Sequence, residues 1–534
     1  MAPGRALALL AAGAFALTAC GVEMSVTAER ADRIVLDPTG VDPGSPATTP
    51  DPPGTPGTPA SPGTPTSPGT PTPTSPGTTA PDDPATPPPA SVPSDPTAID
   101  FGPDKPPRGY DDFLLAVITD LQLWWEVEYP AIYGTSFRRL EGKVYAAYPG
   151  RPDDLPGCGS PSTTYEEVRQ YVAFYCGVGD FMVYDDSADG LLAELEREYG
   201  FGTIGTVLAH EFGHAIQLRA GNLDRALPTI LTEQQSDCFA GAWSSRVARG
   251  ESPVLRYTDA DVRAGLIAMT KVSDPVGTDQ FVEGGHGSGF DRVGAFQVGF
   301  AEGPARCAEI LDEPLPLVPN QFTSADAATG GDARFGYGDG ELLAFLPEDL
   351  NLYWDQQLAR QIPTLDALSL VVVRSLDDVR CSDLRGDFTR GAALCASTRE
   401  VYFNEPAALD LYRSLGDFSV GYLLGIAWGE SVQIALGSEL TGEDRALLND
   451  CLTGGWVQTV IPVPDGRGFL TLPEPRLEAR TSSVSAGDLD EAIQTVLLVA
   501  DLDDDADEVG SAFEKIEALR TGVLDGTDAC LAQL

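Results

Sequence analysis

Apolar positions first take up a regular period near Tyr110, where Phe113, Leu114, Val117, Ile118, Leu121 and Trp125 recur at helical spacing. Lys143 to Tyr148 alternates as a strand does, and Asp180 to Asp185 reads as a second short strand. A helix over Leu191 to Tyr199 follows, then a glycine break, then a buried helix from about Thr203 to Arg219 that Gly221 is placed to end. Before Tyr110 no such period exists. Residues 38 to 98 are a Pro, Gly, Thr and Ser tract with repeats such as Ser61 to Thr70, which lacks the apolar side chains to repay ordering and reads as an extended spacer. The pattern predicts an α+β, helix-rich fold with a small sheet, preceded by a tether.

The extreme N-terminus changes that picture. Arg5 precedes an apolar run from Ala6 to Ala19, too short to span a bilayer and typical of an export signal. Leu17-Thr-Ala-Cys20-Gly resembles a bacterial lipobox, which implies cleavage before Cys20 and a lipid on it as the only membrane anchor. Eight cysteines remain, an even number that in an exported chain argues for disulfides. The 534 residues leave room for more than one domain. A net charge of -46 repels nucleic acid and anionic lipid headgroups and suits a well-solvated extracytoplasmic surface.

Chemistry is concentrated in one place. The chain has 3 histidines, and two of them, His210 and His214, stand in Thr206-Val-Leu-Ala-His-Glu-Phe-Gly-His-Ala-Ile-Gln217. On a helix, positions four apart project from one face, so the two imidazoles can hold one metal ion, and Glu211 beside them can take a proton from water. Catalytic zinc usually takes three protein ligands. Gln217 and Ala220 stand where a metzincin needs glycine and histidine, which excludes that subclass. Glu233 is the candidate third ligand, with Asp237 orienting a ligand histidine, and an interchange of the two or a surface role for Glu233 are the alternatives. His286, in a glycine-rich segment before a helix, is a candidate catalytic donor to an oxyanion or else a capping or buttressing residue. Arg292 reads as an ion-pair partner.

His210 to Gln217, Glu233 to Trp243, Phe174-Tyr-Cys176 with Val183-Tyr-Asp185, and Gly285-His-Gly-Ser-Gly-Phe-Asp-Arg292 together resemble the bacterial YpfJ-like neutral zinc metallopeptidases. The resemblance runs from about Trp125 to Cys307. It implies a zincin-like fold, a gluzincin-type site with Glu233 as third zinc ligand, and a peptide or protein substrate. Ala215 and Asp291 depart from that family, which usually carries histidine and glutamine there.

Residues 340 to 534 echo what precedes them. Asp120-Leu-Gln-Leu-Trp-Trp-Glu126 returns as Asp349-Leu-Asn-Leu-Tyr-Trp-Asp355, Gly213 and Gln217 as Gly429 and Gln433, and Asp237-Cys238 with Trp243 as Asp450-Cys451 with Trp456. The chemistry does not return: His210 becomes Ile426, Glu211 Ala427, His214 Glu430, Glu233 Ala446 and His286 Val509. Gly213 and Gln217 therefore read as serving the fold. Two copies of a four-cysteine pattern predict Cys158 to Cys176, Cys238 to Cys307, Cys381 to Cys395 and Cys451 to Cys530. The expected organisation is a lipoprotein signal over 1–20, a tether over 21–100, a metallopeptidase domain over 101–318 and a degenerate, metal-free copy over 340–534. The expected function is a lipid-anchored zinc peptidase outside the cytoplasm, or alternatively a lipid-anchored binding or scaffold protein with a structural zinc site.

Overall fold

The computed structural model describes residues 92–151, 155–321, 336–338, 341–362, 365–464, 470–471, 484–500 and 511–534. The export signal, Cys20, Val509 and nearly all of the tether lie outside these residues. Order begins with a two-residue strand β1 (Ile99–Asp100), followed by α1 (Asp111–Tyr133), which carries the helical apolar stripe and closes on Gly134. β2 (Val144–Ala147) pairs in parallel with β1. A hairpin of β3 (Leu155–Pro156) and β4 (Ser162–Thr163) and a one-turn helix α2 (Tyr165–Val168) lead into β5 (Ala173–Cys176) and β6 (Phe181–Asp185). The resulting sheet runs β1-β2-β6-β5, with β5 antiparallel at one edge. The tight turn from β5 to β6 places Asp180 at a φ of 50°, which asparagine and aspartate tolerate better than most side chains.

Helices then build the body. α3 (Leu191–Tyr199) ends on Gly200, whose φ of 91° only glycine adopts freely, and α4 (Phe201–Ala220) starts at once and stops at Gly221. α5 (Thr229–Ala248), α6 (Asp259–Lys271), α7 (Gly289–Glu302) and α8 (Pro304–Glu309) complete the first half. α5 and α7 cross so closely that a Cβ on Gly241 would sit 1.9 Å from Phe296 O, and one on Gly299 would sit 1.8 Å from Cys238 O. Only glycine fits at either position.

The second half opens with α9 (Leu342–Leu358) and a sheet of β7 (Ser369–Val373), β8 (Leu384–Arg385), β9 (Ala392–Cys395) and β10 (Glu400–Asn404) in the order β7-β10-β9-β8. α10 (Glu405–Ser414), α11 (Asp417–Leu436), α12 (Gly442–Gln458), α13 (Asp488–Val499), α14 (Ser511–Asp525) and α15 (Thr527–Leu531) follow. A short ribbon, β11 (Val463–Pro464) with β12 (Leu470–Thr471), lies between α12 and α13. The fold is thus α+β and helix-rich, with small sheets.

Several contacts recur in the two halves. Trp243 donates its indole N–H to Asp120 at 2.9 Å, and Trp456 to Asp349 at 2.7 Å. Gln217 Nε2 donates to Thr232 O at 2.6 Å, and Gln433 Nε2 to Arg445 O at 2.7 Å. The disulfides are Cys158–Cys176, Cys238–Cys307, Cys381–Cys395 and Cys451–Cys530, the pairing that the repeated pattern predicts. One continuous apolar core runs through both halves, and α6 and α7 pack against α13 and α14 where they meet. Among the described residues no helix is long and apolar enough to cross a membrane.

Candidate metal centre

α4 is apolar nearly all the way round and buried from Gly202 to His210 and from Phe212 to Gln217, so a polar atom on it that lacks a partner is costly. His210 and His214 face α5, where Glu233 and Asp237 stand one turn apart and fully buried. The helices can approach because a Cβ on Gly213 would meet Ser236 Oγ at 2.3 Å, and the Ser236 hydroxyl donates to His210 O.

Each imidazole is fixed through Nδ1. His210 Nδ1 donates to Asp237 Oδ1 at 2.6 Å, and His214 Nδ1 donates to Gln217 Oε1 at 2.9 Å. Both Nε2 atoms are thereby turned toward the Glu233 carboxylate, at 3.1 Å from His210 and 3.5 Å from His214. One donor atom from each of His210, His214 and Glu233 lies within 4.8 Å of the others, close enough to hold one metal ion. The buried His214 Nε2 has no hydrogen-bond partner, which is costly for a neutral imidazole and is relieved by a cation. Two neutral imidazoles and a carboxylate are a donor set that suits zinc among other divalent ions.

The surrounding charges are arranged in a chain. Arg292, buried on α7, grips Asp237 through Nε at 3.0 Å and Nη2 at 2.8 Å, and its other Nη donates to Val272 O. Burial alone would lift the Asp237 carboxyl, but Arg292 and His210 hold it below its ordinary value. Burial also opposes charging His210, yet Asp237 and Glu233 beside it push its pKa up to about 10 when no ion lies between them. A proton and a cation therefore compete for this cluster.

His286 does reach the cluster, with Nε2 4.0 Å from Glu233 Oε2. It does not cap α7, because Ser288 fills that role by accepting from Asp291 N at 3.1 Å. Asp274 organises His286 instead: one carboxylate oxygen accepts from His286 N and Gly287 N, both at 2.8 Å, and the other lies 3.4 Å from Nδ1. Glu211 points the other way round α4, toward the sheet edge, where its Oε2 accepts from Tyr175 N on β5 at 3.0 Å.

Two contributors escaped the sequence. Asp274 stands in Ser273-Asp-Pro, which signals only a turn. Gln217, assigned above to the fold because the second half keeps it, also orients His214, so it serves both purposes.

In the second half, α11 and α12 carry different partners. Glu430 makes a partly buried ion pair with Arg445 at 2.7 Å and accepts from Asn449 Nδ2 at 3.2 Å. Asp450 lies 2.6 Å from Lys515 Nζ and accepts from the Tyr422 hydroxyl. Each of these charges is matched internally.

No protein-family model matches the chain, and no solved structure matches it. It is similar to an uncharacterized protein of Mycobacterium tuberculosis and to one of Mycobacterium bovis, each 29% identical over 191 residues. The match covers 32% of this chain and 59% of the relative, so the chain spans less than two thirds of the length of these relatives.

Proposed function

We propose that the protein is a zinc-dependent peptidase that works outside the cytoplasm, tethered by a lipid on Cys20. The observation that carries this is the convergence of His210 Nε2, His214 Nε2 and the Glu233 carboxylate, with both Nδ1 atoms already committed elsewhere. A zinc ion held there would supply Lewis acidity, polarising a scissile carbonyl and making water easier to deprotonate. Glu211 would take the proton from the attacking water and hand it to the leaving amine. His286, steadied by Asp274, would donate to the developing oxyanion. β5 pairs only with β6 among the described residues, and the Tyr175 N–H on its other side holds Glu211.

The first half would then be a zincin-like domain and the second a degenerate copy. The support is the recurrence of the Trp-to-Asp, Gln-to-carbonyl and disulfide contacts, together with matched glycines. A Cβ on Gly454 would lie 2.1 Å from Leu519 O and one on Gly522 2.0 Å from Cys451 O, as at Gly241 and Gly299. In the copy, Glu430 stands in the place of His214 and is neutralised by Arg445, while Asp450 keeps a cation in Lys515 where Asp237 has Arg292.

Purified protein should hold about one zinc per chain. Glu211→Gln should keep that zinc and lose peptide cleavage by about 10²-fold or more. The Glu430–Arg445 and Asp450–Lys515 pairs of the second half favour one other reading, a binding or scaffold protein with a structural zinc. Zinc retained without cleavage of any peptide in a broad library decides for it.

A further inference from the structure

The two halves meet at α7, and α7 is also the helix that reaches the metal cluster. Its first backbone N–H groups have no partners within the helix and must be satisfied from outside. Ser288 accepts one. Two others go to a side chain of the opposite half: Asp490, on the first turn of α13, accepts from Gly289 N at 2.9 Å and from Phe290 N at 2.7 Å. Asp490 is buried, and its Oδ2 stands 3.1 Å from where a Cβ on Gly289 would be.

The hold continues along the helix. Arg520 of α14 donates to Phe290 O, lies over the Phe290 ring at 4.2 Å, and fills the space that the missing side chain of Gly294 leaves. Gln297 donates to Phe513 O at 2.8 Å, and Phe300 packs on Phe513 at 4.8 Å between centroids. Only two residues beyond Phe290 is Arg292, which clamps Asp237, which in turn fixes His210. His286 lies three residues before Gly289 in the segment that leads into α7.

We propose that Asp490 is a positioning residue for the metal cluster, supplied by the half that contributes none of His210, His214 and Glu233. By bridging the first two N–H groups of α7, it sets the height and direction of that helix, and so the place of the Arg292 to Asp237 to His210 chain. The second half acts as an intramolecular splint for the ligand set. This rests on the metal-centre reading above for its consequence, although the coupling itself is a contact between helices.

The full-length protein tests it with Asp490→Asn, which keeps one acceptor oxygen, Asp490→Ala, which keeps none, and Glu439→Gln on an exposed loop of the second half as a control. Zinc affinity is measured by chelator competition well below the melting temperature. The three histidine ring signals are followed by NMR in the metal-free protein, where 3 histidines in the chain make assignment simple. Asp490→Ala should weaken zinc by about tenfold or more, Asp490→Asn by less, and the control not at all. The His210 and His286 signals should move while His214, held by Gln217 within α4 and α5, stays. A general loss of stability would move all three together or none, and either pattern overturns the proposal. Should the wild-type chain bind no zinc, the metal reading fails on its own, and the coupling then stands or falls by the His210 signal in Asp490→Asn.

Discussion

Replacing Asp237 with asparagine tests the core of the site. The carboxylate accepts from His210 Nδ1 at 2.6 Å and from Arg292 at 3.0 and 2.8 Å, and it is fully buried. Asparagine keeps the shape but only one acceptor oxygen, so its amide must face either the imidazole N–H or the guanidinium, donor against donor. Arg292 is then left buried without its direct ion-pair partner, with only Glu233 and Asp274 further off, which costs up to about 3 to 5 kcal/mol of folding stability. His210 loses the partner that fixes its ring, which should weaken zinc by about 10- to 100-fold, or roughly 1.4 to 2.7 kcal/mol. Denaturant titration of the metal-free protein reads the first effect, and competition with a chromogenic chelator reads the second. Asp450→Asn supplies the contrast, because Asp450 is equally buried and holds Lys515 and the Tyr422 hydroxyl but no imidazole. It should lose comparable stability with zinc affinity unchanged. If Asp237→Asn binds zinc within about threefold of wild type, or if both variants weaken zinc equally, the geometry assigned to Asp237 is wrong.

The long disulfides should matter more than the short ones. Removing Cys238–Cys307, which spans 69 residues, should cost about 4.4 kcal/mol against about 3.2 for Cys158–Cys176, which spans 18, and denaturant midpoints of paired serine variants compare them. Burial pushes the Asp291 carboxyl up to about 7, against the pull of Arg520 and the Val318 N–H. The folded chain therefore keeps a proton that the unfolded chain releases near pH 4, and this group makes stability fall as pH rises from about 4 to 7. Asp291→Asn should lose that slope and gain, relative to wild type, on the order of 2 to 4 kcal/mol between the two ends. Parallel pH curves for the two proteins would refute this. Gly299→Ala and Gly522→Ala each drive a methyl group into a facing backbone carbonyl and should each cost about 3 kcal/mol or more, read as a fall in melting temperature.

Much of this protein was settled locally. The spacing of His210 and His214 puts two imidazoles on one face of any helix, the apolar run and Gly221 make that helix, and a four-cysteine pattern given twice favours bonds within each copy. None of these needs knowledge of distant contacts, because the helical period and the repeat are properties of the chain read in order. What only the tertiary structure decided is how those groups are held. Asp274 reaches His286 across 12 residues, Arg292 reaches Asp237 across 55, and Asp490 reaches Phe290 across 200. No period links such positions, since each depends on where whole helices cross. The strand β5 also went unread, because its Ala-Phe-Tyr-Cys run is buried at every position and shows no alternation. The sequence therefore marked His210 and His214 and left Glu233 and Asp237 open between ligand and orienting roles, and packing decided between them and which other polar groups orient the cluster.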